Sequence, residues 1–154
     1  MENVVLIMDK EMKRSIILDN YQNSYHRKRM DNNEYLKLNS RNVSCIDNID
    51  LYIKVENNII KEIYFDGEAC VISISTTSIM ARLLENKTID EAIEIIENYS
   101  NMIEENTYDE NLLEEAIVYD DVAKQPSRKT CATLTWNGLY KKLLELREEN
   151  KAIN

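Results

Sequence analysis

The stretch from residue 51 to residue 65 decides the fold and reads Leu51-Tyr52-Ile53-Lys54-Val55-Glu56-Asn57-Asn58-Ile59-Ile60-Lys61-Glu62-Ile63-Tyr64-Phe65. Its first five residues alternate between apolar and more polar side chains, which is typical of a half-buried β-strand. Glu56-Asn57-Asn58 is a turn signal, and a second strand-like run follows over residues 59–65. The stretch therefore predicts a β-hairpin.

Signals on either side of the hairpin extend this fold. Residues 34–39 alternate briefly and predict a further strand, with Leu36 and Leu38 on one face. Helices are predicted over residues 10–23, 73–84, about 89–105, 112–122 and 128–150. Thr88 and Glu91 match a capping box at the start of the third helix. The predicted class is α+β, a small antiparallel three-stranded sheet with helices packed on one face, in a single domain spanning residues 1–154.

Composition excludes several classes of protein. Hydrophobic residues make up 44% of the 154 and charged residues 31%, which is typical of a globular protein. The net charge of −9 disfavours non-specific binding to nucleic acid. No apolar run approaches a membrane span, and Val4-Val5-Leu6-Ile7-Met8 is too short for a signal-peptide core. We therefore expect a cytoplasmic protein with neither nucleic acid nor membrane as a partner.

The three cysteines, Cys45, Cys70 and Cys131, each lie in a distinctive segment. Their odd number argues against the disulfide framework of a secreted protein. With Asp47, two residues after Cys45, the thiols supply the four ligands that zinc usually takes, and thiolates also suit iron–sulfur chemistry. The spacing alone is not specific, since no Cys-x-x-Cys pair exists and a free cysteine is frequently a small buried hydrophobe.

The remaining candidates for chemistry are few. His26 is the only histidine, and the polar segment Tyr25-His26-Arg27-Lys28 predicts a surface residue rather than a metal ligand. Nothing in the sequence supports His26 as the base of a catalytic triad. Trp136 is most simply a core residue of the last helix. Two glycines cannot form a phosphate-binding loop.

Four segments carry a resemblance to a known family. They are Asp19-Asn20-Tyr21-Gln22-Asn23-Ser24, Cys45-Ile46-Asp47, Gly67-Glu68-Ala69-Cys70 and Arg128-Lys129-Thr130-Cys131-Ala132-Thr133-Leu134-Thr135-Trp136. In this order they resemble the Asp-x-Tyr-x-Asn-Pro element, the Cys-Gly-Asp loop, the Gly-x-Gly-Cys segment and the Arg-x-Lys-Cys-Ala-x-Leu-x-Trp helix start of the SufU family. That family is the zinc-dependent branch of the IscU/NifU N-terminal-like iron–sulfur cluster assembly proteins, and the SufU/IscU-like fold is implied.

Two features favour the SufU branch over the scaffold branch. IscU-type scaffolds place a histidine ligand directly before the third cysteine, whereas this chain has Thr130 there. The acidic stretch over residues 106–124 also resembles the insertion of SufU-type proteins.

The resemblance implies a zinc-dependent sulfurtransferase that accepts persulfide sulfur from a SufS-type cysteine desulfurase and serves downstream iron–sulfur assembly proteins. Carried over residue by residue, Cys45, Asp47, Cys70 and Cys131 would be the zinc ligands, and Cys45 the sulfur acceptor. Zinc would store the nucleophile as thiolate. Arg128 would offset the excess negative charge of the ligands, with a solvated helix-start residue as the alternative interpretation.

The chain departs from the family motifs at two positions, and two other functions are also compatible with the sequence. Ile46 and Ala69 replace family glycines, which predicts a stiffer ligand loop. The same four residues could instead hold a transient [2Fe–2S] cluster in a scaffold protein. A third hypothesis is a structural zinc domain that only binds partners.

Overall fold

A computed structural model describes residues 8–42 and 46–153 of the chain. Its elements are α1 (Lys10–Gln22), β1 (Leu36–Arg41), β2 (Asn48–Glu56), β3 (Ile59–Glu68), α2 (Val71–Leu84), α3 (Ile89–Ile103), α4 (Glu110–Leu113), a 3-10 helix (Glu114–Lys124) and α5 (Pro126–Ile153). The strands form one antiparallel sheet in the order β1-β2-β3. The predicted α+β class with a three-stranded sheet is confirmed.

The hairpin at the centre of the sheet turns at Asn57 and Asn58. Both residues have positive φ, 52° and 64°, as a two-residue hairpin loop matched to strand twist requires. Asparagine tolerates this left-handed conformation because its short polar side chain bonds locally. The turn pairs Glu56 with Ile59, and a β-bulge between Lys54 and Val55 then shifts the register by one residue, so that Ile53 pairs with Ile63 and Leu51 with Phe65. All four of these side chains are buried, so one face of the hairpin forms part of the core.

Helix α2 lies at the centre of the helical layer, and its buried hydroxyls join it to the surrounding segments. Residues 73–84 carry five buried Ser or Thr side chains, each at most 1% exposed. An unpaired buried hydroxyl would cost about 1–3 kcal/mol, so each needs a partner. The bonds that reach other helical segments pair Ser75 with Tyr119, Thr76 with Tyr99 and Trp136, Thr77 with Thr135, and Ser78 with Asn20. Trp136 also stacks on Tyr99 at 3.8 Å between ring centroids, which places it in the core as expected.

The segment after α3 differs from the prediction of one helix over residues 112–122. Helix α4 is only four residues long, and a 3-10 helix follows it directly. The cause is Glu114, whose φ of 46° is a left-handed conformation that a right-handed α-helix cannot contain. The apolar residues that suggested one helix are nevertheless buried, among them Ile117, Val118 and Val122.

The boundaries of the other helices follow local chemistry. The capping box of α3 is confirmed, since the Thr88 hydroxyl accepts from the Glu91 N–H and the Glu91 carboxylate from the Thr88 N–H. Helix α5 begins at Pro126, a residue that suits the first helical turn because its missing N–H has no partner there anyway. Among the described residues, no helix is both long and apolar enough to cross a membrane.

Candidate metal centre

The structure brings together three of the four residues predicted to bind metal. Ligand atoms of Asp47, Cys70 and Cys131 all lie within 4.8 Å of one another. Asp47 is fully buried, Cys131 is 8% exposed and Cys70 is half-buried. The fourth predicted ligand, Cys45, lies outside the described residues. Residues far apart in the sequence thus converge on one cluster of two sulfurs and a carboxylate.

Each of the three ligands is held by a different element. Asp47 directly precedes β2, and its carbonyl accepts a hydrogen bond from the Asn42 N–H at 3.0 Å. Cys70 is the N-cap of α2, where its sulfur lies 3.5 Å from the Ser73 N–H. Cys131 lies in the second turn of α5. The cluster therefore joins the strand layer to the two helices that carry the thiols.

The two residues that replace family glycines beside the ligands have clear positions. The Ile46 side chain is 74% exposed, so this β-branched residue adds no packing to the centre. Ala69 packs in part against the hydrophobic core just before Cys70. Neither side chain keeps Asp47 and Cys70 apart, since the Cys70 N–H donates to Asp47 Oδ1 at 2.9 Å.

Hydrogen bonds keep the buried Asp47 carboxylate charged. Burial alone would raise its pKa, but bonds from the Ser73 hydroxyl, the Cys70 N–H and the two thiols together lower the pKa below its ordinary value. The shortest of them runs from Ser73 Oγ to Asp47 Oδ2 at 2.6 Å. The centre thus contains a preformed anion that faces two sulfur atoms.

Without a bound cation, the Cys131 thiol tends to stay protonated, in contrast to the charged Asp47 carboxylate. Burial, and then the neighbouring Cys70 and Asp47, raise the pKa of the Cys131 thiol above its ordinary value. A second negative charge beside Asp47 is unfavourable in a low-dielectric site. A divalent cation reverses this balance, because it stabilises thiolate and carboxylate together.

The donor set and its spacing fit zinc. Two sulfurs and a carboxylate oxygen are ordinary zinc ligands, and with Zn–S bonds of about 2.3 Å the donors of a tetrahedral site stand roughly 3.8 Å apart. Cys70 Sγ and Asp47 Oδ2 are 3.9 Å apart, so only small side-chain movements are required.

Ser73 is a site residue that the sequence analysis did not single out. Its hydroxyl is within 2.6 Å of Asp47 Oδ2, 3.1 Å of the Cys131 carbonyl oxygen and 3.5 Å of Cys70 Sγ. The only signal in the sequence is its position three residues after a helix N-cap, where the backbone N–H turns toward the capping side chain. Ser73 therefore orients the carboxylate without belonging to the predicted ligand set.

Arg128, predicted to act at the site, lies at its entrance. It is exposed on the first turn of α5 and lines an open groove of about 860 Å³ that reaches the thiols. We call this the basic groove, and the residues that define it are Lys10, Lys13, Arg14, Cys70, Arg128 and Cys131. Arg128 thus shares a surface with two of the ligands.

No histidine side chain belongs to the described cluster. Thr130 stands where scaffold proteins have a histidine, and His26 lies elsewhere. Thr130 is exposed, directly before Cys131. The prediction of a surface position for His26 needs correction, since its side chain is only 26% exposed and stacks between Tyr25 and Tyr64. Its Nδ1 lies 2.8 Å from the carboxylate of Glu85, a largely buried residue. His26 therefore has a packing role at the edge of β3.

Comparison with known proteins places the chain in a family. The sequence profile of the NifU-like N-terminal domain matches residues 12–132. The chain is 31% identical over 129 residues to the zinc-dependent sulfurtransferase SufU of Bacillus subtilis strain 168, an alignment that covers 83% of this chain and 86% of that protein. This protein therefore belongs to the NifU-like N-terminal domain family, the family of SufU and IscU.

Other relatives carry a different name. The chain is 30% identical over 137 residues to the iron–sulfur cluster assembly scaffold protein IscU of Thermotoga maritima, covering 89% of this chain and 96% of that one. It is 33% identical over 127 residues to a scaffold protein IscU from Streptococcus pyogenes serotype M1, covering 81% and 78%. Sequence similarity alone does not separate the two branches.

Solved structures agree with the fold. A crystal structure of a proposed SUF-system iron–sulfur cluster assembly scaffold protein from Fervidobacterium islandicum AW-1 superposes with a TM-score of 0.77 at 28% identity, covering 89% of this chain and 96% of that one. The N-terminal domain of a NifU-like protein from Brucella abortus gives the same TM-score at 16% identity, covering 91% and 99%. The second similarity shows the fold alone.

Proposed function

We propose that this protein acts in iron–sulfur cluster assembly as a zinc-dependent sulfurtransferase that accepts persulfide sulfur from a cysteine desulfurase. The observation that supports this most is the convergence of one carboxylate and two thiols, with no histidine among the described residues of the cluster. The similarity to a SufU over most of both chains supports the same function. The coarser assignment to iron–sulfur assembly agrees with every named relative above.

The proposed zinc ligands are Asp47, Cys70 and Cys131, with Cys45 as the fourth. Zinc, when bound, supplies a positive charge that holds cysteines as thiolates at neutral pH. The chain itself supplies the charged carboxylate of Asp47, which Ser73 and the Cys70 N–H orient. The burial of Asp47 and Cys131 excludes water from the inner side of the centre.

In the proposed reaction Cys45 is the acceptor. Its thiolate attacks the outer sulfur of a persulfide on the desulfurase. A new S–S bond forms at Cys45, the S–S bond on the desulfurase breaks, and the electron pair stays on the desulfurase cysteine as thiolate. Arg128, at the mouth of the basic groove, would stabilise the negative charge that this exchange brings to the surface.

A second candidate function is a scaffold that assembles a [2Fe–2S] cluster and hands it on. The similarity to two proteins named IscU scaffolds favours it. Thr130 at the position of the scaffold histidine, and the pairing of His26 with Glu85, argue against it.

Zinc content is the first test. Protein purified without chelator is expected to carry about one zinc per chain, as a closed four-ligand site predicts. Removal of zinc should lower the melting temperature, because the metal stabilises only the folded state. Elemental analysis and thermal unfolding provide these measurements, with Cys70→Ser as the variant that should lose metal. Protein that contains no zinc and takes none up at micromolar concentrations contradicts the proposal.

The site of sulfur loading is the second test. After incubation with a SufS-type desulfurase and cysteine, mass spectrometry of peptides is expected to place the extra sulfur on Cys45. Cys45→Ser should then carry none, although Cys70 and Cys131 are present. A persulfide found only on Cys70 or Cys131, with Cys45→Ser fully active, refutes the assigned role. A chain that binds zinc but accepts no sulfur would instead be a structural zinc domain.

A further inference from the structure

The basic groove is open to solvent and large enough to hold a small molecule. Its volume of about 860 Å³ falls within the roughly 300–1,000 Å³ of small-molecule sites. Cys70 and Cys131 line it beside an apolar wall formed by Ile17 and Leu18 of α1 and by Val118 and Val122 of the 3-10 helix. A molecule in the groove would therefore contact apolar side chains and the thiols of the metal centre together.

The charge of the groove is opposite to that of the chain. Five cationic residues and a single acidic one, Asp121, line it, whereas the chain carries a net charge of −9. Lys13 pairs with Asp120 at 2.7 Å, and Lys124 lies 3.7 Å from Asp121. The other three cations, Lys10, Arg14 and Arg128, are exposed and form no ion pair within residues 8–42 and 46–153. Their positive charge is thus available to an anion.

We propose that the basic groove binds a low-molecular-weight thiol that carries a carboxylate, and that this thiol is an acceptor of sulfur from the protein. The carboxylate would face Lys10, Arg14 and Arg128, and the short aliphatic part would contact the apolar wall. The thiol would then point toward the sulfurs of the centre. The acceptor role rests on the sulfurtransferase function proposed above, whereas the binding of a carboxylate does not.

The transfer step needs no further reagent. The thiolate of the small molecule attacks the outer sulfur of a persulfide held by the protein. An S–S bond forms on the small molecule, the protein's S–S bond breaks, and the electron pair returns to the cysteine as thiolate. The product is a small-molecule persulfide that carries sulfur away from the protein.

The first experiment measures charge selectivity without any sulfur transfer. The full-length protein as purified is treated with iodoacetate or with iodoacetamide, two alkylating reagents that differ in charge, and peptide mass spectrometry gives the rates at Cys70 and Cys131. The ratio of the iodoacetate rate to the iodoacetamide rate is divided by the same ratio measured for mercaptoethanol. This corrected ratio is expected to be about 10, the lower end of what local electrostatic enrichment gives. High ionic strength should remove the gain.

Two matched double variants locate the effect. Lys10→Glu with Arg14→Glu reverses two charges of the groove and should remove most of the preference for iodoacetate. Lys61→Glu with Lys141→Glu makes the same change in net charge at exposed positions outside the groove and should leave the preference unchanged. Circular dichroism checks that both variants fold. No preference in the original chain, or equal losses in both variants, overturns the proposal.

The second experiment compares acceptors of similar size and different charge on persulfide-loaded protein: 3-mercaptopropionate, 2-mercaptoethanol and cysteamine. The carboxylate thiol is expected to reach half-maximal discharge at a concentration about tenfold lower than the others, and the groove variant should lose this advantage. Equal discharge by all three thiols overturns the acceptor role. If the groove variant impairs only loading by the desulfurase, the groove is a protein docking surface and the proposal is wrong. If no persulfide can be loaded, the proposed function fails, and the alkylation ratio still decides whether the groove binds carboxylates.

Discussion

Replacement of Asp47 by alanine is expected to stop sulfur transfer while leaving most of the fold in place. Asp47 supplies the only oxygen ligand of the proposed centre and is fully buried. Its loss opens a coordination position to water and should weaken zinc binding by more than about 100-fold, the upper limit for loss of an outer-shell partner. The Cys70 N–H would also lose its acceptor, at about 1–3 kcal/mol, whereas the Ser73 hydroxyl could still donate to the Cys131 carbonyl oxygen.

The measurement pairs sulfur-transfer turnover with the visible absorbance of a reconstituted cluster, because the two candidate functions respond in opposite ways. A sulfurtransferase should lose turnover. A scaffold should instead hold its cluster longer, since a carboxylate is a hard, labile ligand among soft sulfurs. Asp47→Asn tests the loss of the negative charge separately from the loss of folding stability, because its amide oxygen can still accept from the Cys70 N–H. Asp50→Ala, on the strand that Asp47 precedes but paired with Lys37 and Asn39 away from the centre, is the control. Surviving turnover with a persistent cluster would show that the scaffold function is correct.

Gly67→Ala is expected to destabilise the protein by at least about 2 kcal/mol and to disturb the metal centre as well. Gly67 has a backbone φ of 142°, which L-residues with a side chain rarely adopt. An added Cβ would lie 2.2 Å from the Asn48 carbonyl oxygen and 3.0 Å from Ile49 Cα, both backbone atoms of β2. The end of β3 must therefore move away from the strand that begins beside Asp47.

Urea unfolding of metal-free protein measures this effect separately from zinc binding, and metal titration then measures the centre. Gly138→Ala is the matched control, because its Cβ would meet a side-chain atom, Ser40 Oγ, at 2.6 Å. Ser40 Oγ forms no hydrogen bond within the described part of the chain, so it can rotate away at little cost. Equal stabilities of Gly67→Ala and the original protein would show that this strand pairing is not constrained as the geometry indicates.

Local chemistry made most of the fold predictable. The hairpin turn at Asn57-Asn58 and the capping box at Thr88 depend on residues close in sequence, and both are confirmed. The prediction of one helix over residues 112–122 was wrong for a physical reason. A single residue with positive φ, Glu114, interrupts a sequence pattern that has helical spacing. Apolar spacing reports which side chains are buried and does not report such a break.

The candidate site was predictable in its residue types and less so in its surroundings. Motif resemblance named Asp47, Cys70 and Cys131, which tertiary packing brings within 4.8 Å. The role of Ser73 and the basic groove depend on how α1, α2 and α5 pack, which no spacing along the chain encodes. The assignment of Cys45 and Arg128 to the reaction stays a prediction for the experiments above.

The hydroxyl bonds of α2 have a mechanical consequence for the centre. Thr77 bonds Thr135 at 2.8 Å and Thr76 accepts from Trp136 at 2.9 Å, so the helices that carry Cys70 and Cys131 form one rigid body. Ser73 attaches the Asp47 carboxylate to the same body. Separating any two of these three ligands would break buried hydrogen bonds at about 1–3 kcal/mol each. Relative movement of these elements is therefore a costly route for releasing Asp47, Cys70 or Cys131 from a bound metal.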